Sequence, residues 1–438
     1  MDKNVSGRLR EIKKIKTNHT KQKLFKYIYM NHFYKLLFYF SLITPACFNA
    51  QGFQVNLQGQ TQQGMGGAGT ALMQDASSLF FNPGGSCFVH ENSINLGVTP
   101  TLARGAFMDA NTRQVSRTNS PISTPFAAYA LFQIKDSSNL KFGLAVYTPF
   151  GSTVQWEDNW TGRFALTRLE LRAIFIQPTI SYKLTKKLGI GAGFVYSNGK
   201  VNLQKDIPLN DANGNYAHAE LNGKANGFGF NAGIYFQATE KLSIGLTYRS
   251  KVKMEVKDGE ATFTVPESVA ANFPSGKFTS KLPLPSVTTL GLGYKINNKL
   301  DIALDINYVG WKAYDTLSFD YENNTEKLLD TKSARLYKNT FAFRGGAQYK
   351  ITQQFTARLG LAYGMTPVQN GYVTPETPDA NRINYTAGIG YQLGKHLKID
   401  ASFLFTHLER TDTNLETNLS GTFKTNVCAP GISIAYKF

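Results

Sequence analysis

Cysteine, histidine and charge are all scarce in this chain of 438 residues. It has three Cys and six His, and Asp, Glu, Lys and Arg together make up 18%. No Cys-x-x-Cys pair and no His/Cys cluster occurs, which leaves a metal site unsupported and implies no cofactor. The charged fraction falls below the roughly one quarter usual in soluble proteins. A long apolar run is also missing. The longest, Leu36 to Phe48, falls well short of the about 20 residues a membrane-spanning helix needs, and mean hydropathy is −0.25. A bundle of membrane helices is therefore excluded. The net charge of +17 is not a nucleic-acid signature, because ten of the 47 basic residues and only two of the 30 acidic ones crowd into residues 1–50. No basic helix and no stacking motif stands out in the remainder.

What the chain has in abundance is Phe (31), Tyr (22) and Gly (39). The apolar run Leu36 to Phe48 follows Lys21, Lys23, Lys26 and Lys35 and leads to Ala46 and Ala50, the layout of a secretory leader. Residues 1–50 are read as a signal peptide cleaved before Gln51. Met30 is a possible true start, since a complete leader begins there. Cys47 would be a lipoprotein site, but Thr44-Pro45-Ala46 fits one poorly. Cleavage leaves Cys87 and Cys428, whose pairing the sequence leaves open.

Period-two alternation repeats along the chain. Leu300, Ile302, Leu304, Ile306 and Tyr308 share one face; Asp301, Ala303, Asp305 and Asn307 share the other, a strand pattern and not a helix pattern. The same holds for Leu242 to Tyr248, Phe355 to Tyr363, Leu397 to Phe405 and Ile432 to Phe438. These segments run to about 10 residues, the length of a tilted bilayer-crossing strand. Tyr248, Tyr308, Trp311 and Tyr363 sit near segment ends, where interfacial girdles belong.

Connections alternate between short links (135–138, 185–187, 238–240, 297–299, 352–354, 394–396) and long ones near 104–121, 149–163, 205–222, 257–282, 320–335, 367–380 and 411–420. Short periplasmic turns and long outer loops are the outer-membrane pattern. The fold class expected is all-β: a transmembrane antiparallel barrel of about fourteen strands over 92–438. Phe438, the last residue, resembles the signal read by the barrel assembly machinery.

Residues 51–91 do not alternate. Gly66-Gly-Ala-Gly-Thr-Ala71 and Asp75-Ala-Ser-Ser-Leu-Phe-Phe-Asn-Pro-Gly84 are rich in small residues, and no Gly-Lys-Ser/Thr follows to make a phosphate loop. A compact hatch plugging the lumen is the expectation, with Asn82 and Pro83 fixing a turn.

These residues resemble the long-chain fatty acid transporter family of outer-membrane proteins, which includes aromatic-hydrocarbon channels. Further matches are Tyr147-Thr-Pro-Phe-Gly151, Trp160-Thr-Gly-Arg163, Gly227 to Gly233, Leu246-Thr-Tyr-Arg-Ser250, Leu282-Pro-Leu-Pro-Ser286, Asn307 to Trp311, Arg358 to Tyr363 and Thr377 to Arg382. Gly84 departs from the alanine usual in the family. The resemblance implies fourteen strands, an N-terminal hatch with a gate at Asn82, Pro83 and Gly84, and outer loops that capture ligand. It also implies passive passage to a lateral opening, in the outer membrane and without catalysis.

A hydrophobic substrate needs an apolar entry and, if it is a fatty acid, a cationic anchor. Phe107, Met108, Phe263, Val265, Val269 and Phe273 are the loop residues available for capture. Arg249, Lys251 and Lys253 have the same parity and are expected to face the lumen together, opposite an acid, an outer-membrane lipid phosphate or a ligand carboxylate. Arg163, Arg358 and Arg382 fit the same roles, and Asp301 and Asp305 read as lumen-facing polar groups. The alternatives are an open hydrophilic porin or receptor, against which the hatch argues, and a barrel enzyme, for which His218, His396 and His407 lack obvious partners. One closed barrel holds the whole pathway, so a monomer is expected, with a long-chain fatty acid or other hydrophobic ligand as its partner.

Overall fold

The computed structural model describes residues 52–134 and 138–438. The leader, its cleavage site, Met30 and Cys47 lie outside the described residues, as does most of the first short link. Among the described residues, strand segments from Ser93 onward form one antiparallel sheet that closes on itself. Ser93–Val98 pairs with Ser420–Lys437 on one side and Phe126–Gln133 on the other. Several crossings are broken in two, for example Leu242–Arg249 continued by Val252–Thr264, and together the segments make a closed 14-strand barrel.

Closure removes the long unpaired edges of an open sheet, which a bilayer would not tolerate. Alternation decides which face meets lipid. In Leu300–Val309, Leu304, Ile306 and Tyr308 are exposed while Asp301, Asp305 and Asn307 are buried. This inverts the usual rule for soluble proteins and is what a lipid-facing wall requires. Aromatic pairs mark both edges of the band. Tyr308 meets Phe341 (5.2 Å between ring centroids) and Phe230 meets Tyr248 (5.8 Å) at the outer edge. Phe355 meets Tyr391 (4.7 Å) and Tyr436 meets Phe438 (5.4 Å) at the inner one. Trp311 is not in a girdle. It is fully buried and faces inward, against Phe53 at 4.8 Å.

The long connections are shorter than expected, because strands continue past the bilayer. Leu188–Asn210 has 23 residues and Tyr216–Gln237 has 22, against the about 9–11 needed to cross. Their outer halves form a wall above the membrane.

Residues 52–92 make only short turns: Gln60–Gln63, Ser78–Phe81 and Pro83–Phe88. They are tied to lumen-facing groups around the ring: Tyr129 Oη donates to Gln58 O (2.6 Å), Gln177 Nε2 to Leu79 O (3.0 Å), Ser243 Oγ to Ala71 O (2.7 Å) and Ser402 Oγ to Gln60 Oε1 (2.5 Å). Small residues make this approach possible. A Cβ on Gly360 would stand 2.1 Å from Gly66 N, and one on Gly84 would stand 2.4 Å from Gly233 O. The departure at Gly84 is thus a packing requirement. Cys87 and Cys428 are both free.

Candidate ligand passage

Above the turns of residues 52–92 the inward positions change from polar to apolar. Leu169 and Leu171, Val201 and Leu203, Met254 and Val256, and Leu282 and Leu284 come from four of five consecutive crossings, the one between Leu203 and Met254 contributing Ala225. Phe53, Phe150, Tyr314 and Phe319 close the remaining sides of a slot enclosing about 850 Å³ of free space including its mouth. Alternation puts these side chains inside; closure of the ring makes them neighbours. Glu376 at the rim is held by Arg335 at 2.7 Å, both largely buried. Burial opposes the charge on that guanidinium, yet its pKa lies above the ordinary arginine value because Glu376 and neighbouring tyrosines favour the charged form.

Two inward cations, Lys205 and Arg249, stand near this slot without lining it. Lys205 lies two residues beyond Leu203 on the same inward face, in the part of its strand that stands clear of the lipid band. Burial holds the pKa of its ammonium below the ordinary lysine range, and the charge of Glu416 offsets part of that. Among the described residues, no ion pair or hydrogen bond engages it. Sequence reasoning passed over Lys205, although the alternation Val201, Leu203, Lys205 places it on the lumen face.

At the inner end, Arg249 lies over the Phe80 ring at 3.6 Å and donates from Nη2 to Phe80 O at 2.9 Å. Its Nε is buried without a partner. Phe80 in turn meets Tyr147 edge-on at 5.0 Å.

Lys251 and Lys253 do not join Arg249. The crossing breaks at Ser250–Lys251, and beyond the break Val252, Met254 and Val256 are buried while Lys251 and Lys253 are exposed. One extra residue at such an irregularity reverses the facing of every later side chain. Lys253 pairs with Glu255 at 3.1 Å on the outer surface. The expected three-cation cluster is therefore corrected to one inward arginine.

The capture residues also move. Phe107 lies in the strand Leu102–Asp109, not a loop, and is fully buried against Phe423 (4.6 Å) and Trp160 (5.9 Å). Met108, next to it, is half-buried. Phe263 and Phe273 meet at 6.3 Å in the outer connection of the seventh and eighth crossings and line no part of the slot. Arg358 pairs with Asp400 at 2.8 Å, deep in the lumen. Arg163 stacks over Tyr216 at 4.6 Å. Asp305 accepts from Gly69 N, Thr70 N and Thr70 Oγ1 at 2.8–3.1 Å. His218 does have an acidic partner, Asp206 Oδ1 at 3.1 Å, directly opposite across the sheet.

Asn82 joins the hatch turn to the wall. Its Oδ1 accepts from Gly84 N at 3.0 Å, and its Nδ2 donates to Thr70 O (2.9 Å) and Ile234 O (3.0 Å). Pro83 starts the following 3-10 turn, where its missing N–H costs nothing.

The wall is broken beside the slot. Pairing of the second and third crossings ends at Ala127↔Tyr147, and the register of the third against the fourth shifts between Tyr147 and Phe150. Pro149 has no N–H to donate. The free edge is taken by residues near the N-terminus of the described chain: Val55 N donates to Pro149 O (2.9 Å) and Gly151 N to Phe53 O (3.3 Å). Both Phe53 and Phe150 line the slot, so it reaches this break.

A family model described as outer membrane protein transport protein (OMPP1/FadL/TodX) matches residues 41–438. The chain is 22% identical to the long-chain fatty acid transport protein of Escherichia coli K12, over 85% of this chain and 91% of that one. Among solved structures it is similar to a FadL homologue of Pseudomonas aeruginosa (TM-score 0.74, 20% identity, 90% of this chain and 100% of that one). It is also similar to the toluene transporter TodX of Pseudomonas putida (TM-score 0.68, 16% identity, 89% and 99%).

Proposed function

The chain belongs to the OMPP1/FadL/TodX family of outer-membrane transport proteins, a family of hydrophobic-substrate channels and not of enzymes; from that premise we propose that it moves long-chain fatty acids passively through its lumen to a lateral exit. The observation that carries this is an apolar slot, with an unpaired lysine two residues beyond Leu203 of its lining and an inward arginine whose Nε has no partner. A small aromatic hydrocarbon needs the slot but neither cation.

In this mechanism the apolar chain fills the slot, and each buried methylene contributes about 0.8 kcal/mol. The carboxylate first meets Lys205. Deeper, Arg249 exchanges Phe80 O for the carboxylate, since a charged acceptor forms the stronger bond. Losing that contact frees Phe80 and the hatch turn 82–84 behind it, which is the gate. The chain then leaves past Phe150 through the break above Tyr147. Capture must be firm and release easy, so two modest anchors serve better than one strong one. Phe263, Phe273 and Met108 act earlier, as the apolar approach above the lipid.

The test is equilibrium binding of a long-chain fatty acid, its methyl ester and toluene to detergent-purified protein. The acid should bind tightest, and Lys205→Ala and Arg249→Ala should each erase its advantage over the ester. Lys251→Ala and Lys253→Ala should leave it intact. Equal binding of acid and ester in the unaltered protein refutes the anchor and favours a hydrocarbon channel; binding of none refutes the transport reading.

A further inference from the structure

We infer that the outward face of the fourth to seventh crossings, just above the lipid band, binds the phosphate groups of outer-leaflet lipid. The strand register sets Arg172 directly opposite Lys200, and Lys200 directly opposite Lys224. Residues so paired share a face, so three cations stand side by side, and all three are exposed. Lys257, also exposed, follows Val256, the partner of Ala225 on the next crossing. Like charges directly opposite one another destabilise a sheet unless something neutralises them.

Among the described residues, none of the four forms an ion pair, whereas other exposed lysines do: Lys253 with Glu255, Lys277 with Asp258 and Lys424 with Glu409. Glu255, two residues from Lys257 on this face, is held by Lys253 at 3.1 Å. Glu170 stands one step beyond Arg172 and Glu220 two steps beyond Lys224. They are engaged by Arg168 (3.4 Å) and Asn202 (2.5 Å).

The height of the row selects the partner. Going outward along the fifth and sixth crossings, the facing pairs are Tyr196 with Phe228, then Asn198 with Asn226, then Lys200 with Lys224. The sequence runs from girdle aromatic to amide to cation. Four residues of tilted strand lift the lysines roughly 10 Å above the aromatic pair. Their flexible stems reach back toward the interface. Below them Phe194, Phe228 and Ile176 are exposed to acyl chains. Apolar surface under a row of unneutralised cations is the complement of a lipid carrying several phosphates at its headgroup.

The test uses full-length protein in neutral detergent, titrated with bisphosphorylated lipid A and with the same lipid enzymatically dephosphorylated. Bound lipid per barrel and thermal stability are both read. The phosphorylated form should bind the unaltered protein at least tenfold more tightly. Lys200→Gln with Lys224→Gln should weaken that binding about 25-fold, or fivefold for each charge removed. A control pair in periplasmic turns, Lys299→Gln with Lys395→Gln, should leave it unchanged. Thermal stability without added lipid should be normal in the first pair, which shows that the variant is folded. Equal affinity for the two lipid forms, or full lipid binding by the first pair, overturns the inference.

Discussion

Asn82 is the residue whose loss should loosen the hatch most specifically. Asn82→Ala removes three hydrogen bonds of 2.9–3.0 Å. Thr70 O and Gly84 N, both within the hatch, are left buried and unsatisfied, and each such group costs about 1–3 kcal/mol. The sum, about 2–6 kcal/mol, falls on the hatch and hardly on the barrel, whose ladders do not use Asn82. At about 1.4 kcal/mol per tenfold, even the lower figure raises the population of an unseated hatch about 30-fold. Hydrogen exchange should show the amides of residues 78–88 losing protection while those of Leu300–Val309 keep theirs. Single-channel recordings should show brief openings far more often than in the unaltered protein. Asn82→Asp keeps the acceptor for Gly84 N and loses the donor, so it should fall between the two. If exchange over residues 78–88 were unchanged in Asn82→Ala, the assignment of this side chain as the hatch fastening would be wrong.

Lys205→Met should weaken fatty-acid binding by about ten- to hundred-fold, the worth of one charge-assisted contact, while raising the melting temperature because a buried, unpaired charge is gone. In the unaltered protein Lys205 loses its proton below the roughly 10.4 of an unfolded lysine. The unfolded chain therefore holds more protons between those two values. Stability should rise with pH across that window, and acid binding should fall, as a pH titration of both would show. Gly84→Val should prevent the hatch from seating, since even a Cβ would stand 2.4 Å from Gly233 O. Protease clipping within residues 60–88 should then exceed that of Asn82→Ala. A maleimide should label the half-exposed Cys428 well before the buried Cys87, and gels run with and without reductant should show no linked form.

The sequence by itself determined the crossing strands and the way they face. Side-chain direction along a strand repeats every two residues, so Leu304, Ile306 and Asp305 announced lipid and lumen without any knowledge of their neighbours. The Gly-rich stretch from Gly64 to Gly85 likewise announced a segment that must pass close to other backbone. Where a local rule breaks, that reasoning stops. The irregularity at Ser250–Lys251 reverses parity, so Lys253 reads as lumen-facing in the sequence and lies outside in the fold. Phe107 reads as a loop residue because nothing in its neighbourhood says how far a strand continues above the membrane.

The assembly of the slot was decided by tertiary structure alone. Leu203 and Met254 become neighbours only because the ring closes with a particular register, and Arg249 reaches Phe80 only because residues 52–92 fold back inside it. The gap beside Pro149 has the same origin. A proline shows where a ladder bond is missing, but the second crossing's departure and the arrival of Phe53 at the free edge are long-range events. Alternation is a property of one strand, whereas a passage is a property of how many strands meet.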